Sequence, residues 1–98
     1  MSTIVLKFGG TSVATTDLIK SAAGIVKKEY DAGNNVAVVV SAMAGATNSL
    51  IDYVKEINNN LDSEYDVVVS SGEQVTSGLM AMALNEIGVP SRSWQGWQ

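Results

Sequence analysis

Cysteine and histidine are both missing from this 98-residue sequence, and proline occurs once. Without them there is no disulfide, no thiolate nucleophile, no zinc site built from the usual donors and no imidazole for acid–base chemistry. A cysteine-free chain also accords with a cytoplasmic setting. Basic residues are few: Lys7, Lys20, Lys27, Lys28, Lys55 and Arg92 are all six of them, and the net charge is −4. They do not cluster, so neither nucleic acid nor an anionic membrane is expected as a partner. No stretch approaches the roughly 20 apolar residues needed to span a bilayer. The apolar run at residues 4–6 is broken by Lys7 and has no basic region before it, which is not the pattern of a secretory signal.

What is present is globular. The hydrophobic share of 46% is too high for a disordered chain, and the 16% charged share is too low for a coiled coil. The length suits one small domain. Strand-like runs alternate with helix-like periodicity, which predicts an α/β fold: a three-layer αβα sandwich with a mainly parallel sheet. Residues 3–8 read as a first strand ending at Gly9-Gly10. Over 16–32, Leu18, Ile19, Ala22, Ala23, Val26 and Tyr30 recur at helical steps, with Thr15 or Thr16 as N-cap and Gly33 as the stop. Residues 36–40 are uniformly apolar, as in a strand covered on both faces.

A second helix is expected with Leu50, Ile51, Val54, Ile57 and Leu61 on one side, capped by Thr47 or Asn48. A polar turn follows at Asn58-Asn59-Asn60 and Asp62-Ser63. Residues 65–70 are ambiguous, because Val67-Val68-Val69 has strand propensity but runs straight into a helical pattern. That helix places Val75, Leu79, Met82, Ala83 and Ile87 on one face and stops at Gly88. Residues 91–94 could open another strand. Two tryptophans, Trp94 and Trp97, then stand close to Gln98 without an evident partner, the pattern expected of a shortened chain.

Three segments carry chemistry. In Lys7-Phe8-Gly9-Gly10-Thr11-Ser12 a lysine at a strand end precedes two glycines and a helix. This sets an ammonium beside backbone N–H groups that an anion can approach closely, and phosphate is the natural guest. It is neither the P-loop nor the dinucleotide fingerprint. Taken alone, it reads equally well as a solvated lysine followed by a turn. The segment from Ser41 to Asn48 again joins a buried strand to a helix, and ligands collect at the carboxyl ends of parallel strands. Ser41 and Thr47 would bring hydroxyls to that edge, although a loop hydroxyl and a helix cap are commoner roles. In Ser71-Gly72-Glu73-Gln74 the carboxylate of Glu73 either stabilises a helix start or pairs a cationic group on a ligand.

Together these segments resemble the aspartokinase family of the amino-acid-kinase superfamily. The resemblance rests on Lys7-Phe8-Gly9-Gly10-Thr11-Ser12-Val13, on Val38 to Asn48, and on Ser71-Gly72-Glu73-Gln74 followed by Leu79-Met80-Ala81-Met82-Ala83-Leu84. It covers nearly the whole chain in the family's order. The lysine-glycine start is shared with kinases of glutamate, acetylglutamate, carbamate and uridine monophosphate, whereas the Thr11-Ser12-Val13 continuation and the second segment point to aspartate.

The resemblance implies transfer of the ATP γ-phosphoryl group to the side-chain carboxylate of L-aspartate, in the biosynthesis of lysine, threonine and methionine. ATP and magnesium would be the co-substrate and metal. By the same resemblance Lys7 is catalytic, and Lys7, Phe8, Gly9, Gly10 and Ser41 surround the phosphates. Ser41, Thr47 and Glu73 hold the amino acid, with Glu73 facing its α-ammonium. It also implies that residues 1–98 form the N-terminal part of a catalytic domain. The adenine-binding and magnesium-binding half and the regulatory domains lie outside that part, so neither ATP nor magnesium is expected to bind this chain tightly. The alternative is an inactive remnant that binds anions or self-associates, and an incomplete sheet would leave an edge or helix face open for a homo-oligomer.

Overall fold

The structure, a computed structural model, describes residues 2–57 and 63–95. Strand β1 (Thr3–Phe8) leads through a 3-10 turn (Gly10–Val13) into helix α1 (Thr16–Asp31). Strand β2 (Asn35–Val40), helix α2 (Ala46–Ile57) and helix α3 (Ser63–Glu86) follow. β1 and β2 pair in parallel, from Thr3 opposite Asn35 to Phe8 opposite Val40. Ile4, Leu6 and Phe8 on β1, with Val36, Val38 and Val40 on β2, turn to one face of the sheet and are half-buried there. Onto this face pack Ile19, Ala22, Ala23 and Val26 of α1, Met80 and Leu84 of α3, and Val13 and Val89 beside them. Each large side chain so removed from water contributes about 1.5–3 kcal/mol.

α1 has the expected ends. The Thr15 hydroxyl accepts the Leu18 N–H at 3.1 Å. At the other end Gly33 adopts φ +92°, the left-handed turn that closes a helix without a Cβ penalty, and its N–H reaches the Tyr30 carbonyl at 3.0 Å. Gly88 (φ +88°) ends α3 in the same manner, with the Val89 N–H on the Leu84 carbonyl at 2.9 Å.

Four expectations change. First, the α/β class and the parallel sheet are as expected, but the described residues cover only one face of the sheet. The apolar run of β2 is therefore not buried on both sides: Val39 is 48% exposed, and Val5, on the same face of β1, is 65% exposed. Second, the segment at 65–70 is helical and continuous with α3. Glu64 and Asp66 sit in its first turn, where the helix dipole favours anions. The hydroxyls of Ser70 and Ser71 are satisfied internally, on the carbonyls of Val67 (3.2 Å) and Val68 (2.6 Å).

Third, the buried face of α3 is shifted from the expected one. Leu79 and Ala83 pack against the core as expected and Gly72, Thr76, Met80 and Leu84 are buried, while Val75, Met82 and Ile87 are exposed. Fourth, α2 begins at Ala46, and the N–H of Ser49 donates to the Gly45 carbonyl at 3.1 Å. Gly45, at φ +86°, turns the chain into the helix early, so Thr47 and Asn48 lie within the first turn instead of capping it. Leu50, Ile51 and Val54 are half-buried as expected, whereas Ile57 is 88% exposed.

Leu61, the turn at Asn58-Asn59-Asn60 and Asp62, and Trp97 lie outside the described residues. Residues 91–94 form no strand, and Trp94 finds a partner in Arg92, whose guanidinium lies 4.5 Å from the ring centroid.

Candidate functional site

The carboxyl ends of β1 and β2 are adjacent because the strands are parallel and in register. Both connections therefore leave from one edge of the sheet. Two backbone hydrogen bonds join them: the Ser41 N–H donates to the Phe8 carbonyl (3.2 Å), and the Ala44 N–H donates to the Gly10 carbonyl (3.1 Å). The first connection is further tightened by the Ser12 N–H on the Gly9 carbonyl at 3.0 Å. It forms a 3-10 turn, so α1 starts six residues beyond Gly10, and its first turn is capped by Thr15.

The third segment joins at Ala42. A Cβ placed on Gly72 would stand 2.9 Å from the Ala42 Cβ, and one placed on Gly10 would stand 2.8 Å from the Ala42 carbonyl oxygen. Ala42, buried in the second connection, is thus flanked by the glycine loop on one side and by α3 on the other. Glu73 is the next residue along α3 from that contact. Sequence reading singled out the segments but not this junction. No sequence signal separates Gly72 from Gly24 and Gly78, which also lie inside helices but would meet nothing within 4 Å.

Of the individual side chains, Lys7 extends from the open face of the sheet, opposite Val39, while Phe8 is turned to the helices. Lys7 and Glu73 are exposed, and Ser41 and Thr47 are half-buried. Among the described residues the ion pair is Lys27 with Asp31 at 2.7 Å, so neither Lys7 nor Glu73 is engaged in one. The structure joins the first two segments by backbone hydrogen bonds and packs the third against Ala42, and among the described residues no ion pair links Lys7 to Glu73. Among the described residues no three acidic, histidine or cysteine side chains converge as a metal site. A groove of about 520 Å³ lies elsewhere, along β2 and residues 89–94, with Tyr30, Met80, Leu84, Arg92 and Trp94 in its walls. It contains none of Lys7, Ser41, Thr47 and Glu73 and is not the candidate site.

Residues 2–96 match the profile of the amino acid kinase family. The chain belongs to that family. Within it, the chain is 54% identical over 101 residues to an aspartate kinase of Pseudomonas fluorescens (strain SBW25), a match that covers all of this chain and 24% of the relative. It is 50% identical over 102 residues to an aspartokinase of Rickettsia felis, covering all of this chain and 25% of that protein. The crystal structure of an aspartate kinase from Synechocystis superposes with a TM-score of 0.83 at 44% identity, over 86% of this chain and 15% of that one. This amino acid kinase chain therefore spans about a quarter of the length of the curated relatives it matches. No helix among its described residues is long and apolar enough to cross a membrane.

Proposed function

We propose that this chain provides the phosphate-side and amino-acid-side residues of an aspartate kinase, which transfers the γ-phosphoryl group of ATP to the side-chain carboxylate of L-aspartate. The observation that carries the reading is the junction at Ala42. There the glycine loop after Lys7, the Ser41–Thr47 connection and the Glu73 turn of α3 meet at one sheet edge. The similarity to aspartate kinases supports the choice of substrate.

In this reaction an oxygen of the aspartate carboxylate forms a bond to the γ-phosphorus. The bond to the β,γ-bridging oxygen breaks, and its electron pair leaves with ADP. The nucleophile is already ionised at neutral pH, so no general base is needed and the lack of histidine is no obstacle. Catalysis then rests on positioning and on neutralising charge that develops on the transferring group. Lys7 supplies the ammonium, Gly9 and Gly10 supply backbone N–H groups, and Phe8 anchors the strand end from the core side. Ser41 stands between phosphate and substrate. Thr47 and Glu73 hold the amino acid, Glu73 through its α-ammonium. Among the described residues no three acidic, histidine or cysteine side chains converge, and none of these roles passes through the metal.

A cytoplasmic setting and a place in lysine, threonine and methionine biosynthesis accompany this reading. So does self-association through the sheet face that carries Val5 and Val39. The 98 residues alone are expected to be inactive, because they span only 24% of the Pseudomonas fluorescens relative.

The test is an aspartate-dependent ATP assay on two proteins: this chain alone, and this chain grafted in place of the matching quarter of that relative. The graft should turn over and its Lys7→Ala variant should lose about 10²–10³-fold in kcat, the usual cost of removing one charge-stabilising group, with a smaller change in KM for aspartate. A graft that phosphorylates no aspartate, or a Lys7→Ala graft with unchanged kcat, would refute the assignment. Turnover by the isolated chain would show that residues matching the rest of that relative are dispensable.

A further inference from the structure

Ala42 presents two different atoms to two different parts of the candidate site. Its Cβ faces α3 at Gly72, where an added methyl would come within 2.9 Å; its carbonyl oxygen faces Gly10, where an added methyl would come within 2.8 Å. The first approach is well inside the roughly 3.5–4.0 Å of favourable carbon–carbon contact and the second inside the roughly 3.3 Å of carbon–oxygen contact, so α3 and the glycine loop are both seated on this one residue. The seat on the helix side is firm. The Leu50 side chain forms its other wall, with Cδ1 3.6 Å from the position of a Cβ on Gly72. Thr76, fully buried, donates its hydroxyl to the Gly72 carbonyl at 3.1 Å. An alanine at 42 and a glycine at 72 thus fix how far the helix that carries Glu73 stands from the connection that carries Ser41 and Thr47.

We infer that Ala42 and Gly72 are positioning residues: their contact sets the separation between the phosphate-side loop and the Glu73 carboxylate, and so tunes affinity for the amino acid. The inference rests on the aspartate kinase reading. A methyl on Gly72 pushes α3 and Glu73 outward against Ala42, whereas removing the Ala42 Cβ makes room for that methyl. Misplacement of a binding group by an ångström can cost as much as 10²-fold.

The test uses the grafted full-length enzyme with Gly72→Ala, Ala42→Gly and the two combined. Gly72→Ala should raise KM for aspartate by about tenfold with a much smaller change in kcat and in KM for ATP. The combination should bring KM back to within roughly threefold of the parent. A merely structural role would lower the folded fraction, reducing apparent kcat with KM unchanged. An active parent graft whose Gly72→Ala variant keeps its KM overturns this inference alone, as does a raised KM that Ala42→Gly does not repair. A parent graft without aspartate kinase activity overturns both this inference and the reading beneath it. If Gly72→Ala fails to fold, Ala42→Gly by itself decides, since it frees α3 to move inward and should also raise KM; an unchanged KM overturns the proposal.

Discussion

The two adjacent glycines after Lys7 are expected to respond in opposite directions to the same substitution. Gly9 is extended (φ −73°, ψ 171°), a conformation alanine adopts freely, and a Cβ there would meet nothing within 4 Å. Gly10 would drive its Cβ to 2.8 Å from the Ala42 carbonyl oxygen. Carbon and carbonyl oxygen ordinarily approach no closer than about 3.3 Å, so the two loops must separate by roughly 0.5 Å. That movement would stretch the Ala44 N–H to Gly10 carbonyl bond beyond its present 3.1 Å and load the Ser41 N–H to Phe8 carbonyl bond at 3.2 Å.

Losing one such bond costs about 0.5–1.5 kcal/mol, and overpacking typically costs about 1–3 kcal/mol in total. For a domain of this size each kcal/mol moves Tm by roughly 4–8 °C, so Gly10→Ala should lower Tm by roughly 5–20 °C. Gly9→Ala should leave Tm unchanged or raise it slightly, because alanine has less unfolded-state freedom to lose, an effect of about 0.4–1 kcal/mol. Circular dichroism melts of the 98-residue chain and its two variants measure this directly. Equal melting temperatures for Gly9→Ala and Gly10→Ala would refute the claim that the loops are held at a steric limit.

Glu73 is exposed on α3; Glu73→Gln should leave thermal stability within about 0.5 kcal/mol while raising KM for aspartate in the grafted enzyme, and an unaltered KM would remove Glu73 from the amino-acid site. Two isoleucines, both assigned from sequence to apolar helix faces, should behave differently. Ile19→Ala, 2% exposed in the parent, should cost about 2–5 kcal/mol, whereas Ile57→Ala, at 88% exposure, should cost almost nothing in urea unfolding; similar midpoints for both would contradict the core described above. Light scattering should give the isolated chain a mass above its monomeric 10.3 kDa, reduced toward the monomer by Val5→Lys on the open sheet face. A parent chain that scatters as a clean monomer would count against that surface as a site of self-association.

Much of this architecture is legible in the residues. β1 matches its apolar run, and α1 begins at a threonine whose hydroxyl does cap it and ends at a glycine that does turn left-handed. These are local effects, set by atoms within a turn of the residue concerned. What is less legible depends on contacts distant in sequence. Val67-Val68-Val69 favours a strand in isolation, yet it continues into the helical run of α3, which packs on α2 and α1, and that context outweighs so mild a preference. The face of α3 was expected from its large apolar residues. Leu79 and Ala83 do turn inward, but the most buried row runs through Gly72, Thr76, Met80 and Leu84, with Gly72 against Ala42. Gly45 reads as a loop glycine until its positive φ shows that it moves the start of α2 ahead of Thr47. The composition of β2 shows that it is apolar, but not how many helices are at hand to cover it. At the site, residue types pointed to the three segments; their meeting on one alanine is a property of the packing alone.

The alternation along β1 has a consequence for how this site can vary. Lys7 faces outward because Ile4, Leu6 and Phe8 face inward, and a strand has a period of two. Removing or adding a single residue between Thr3 and Leu6 would reverse every later side chain at once, sending the ammonium into the apolar layer and the phenyl ring into water. Under the proposed function, substitutions at position 7 should abolish chemistry and leave the fold intact, but a change of length in this strand cannot separate the two. Direction of charge and burial of the core are one inherited constraint here, carried by four consecutive alternations of side chain.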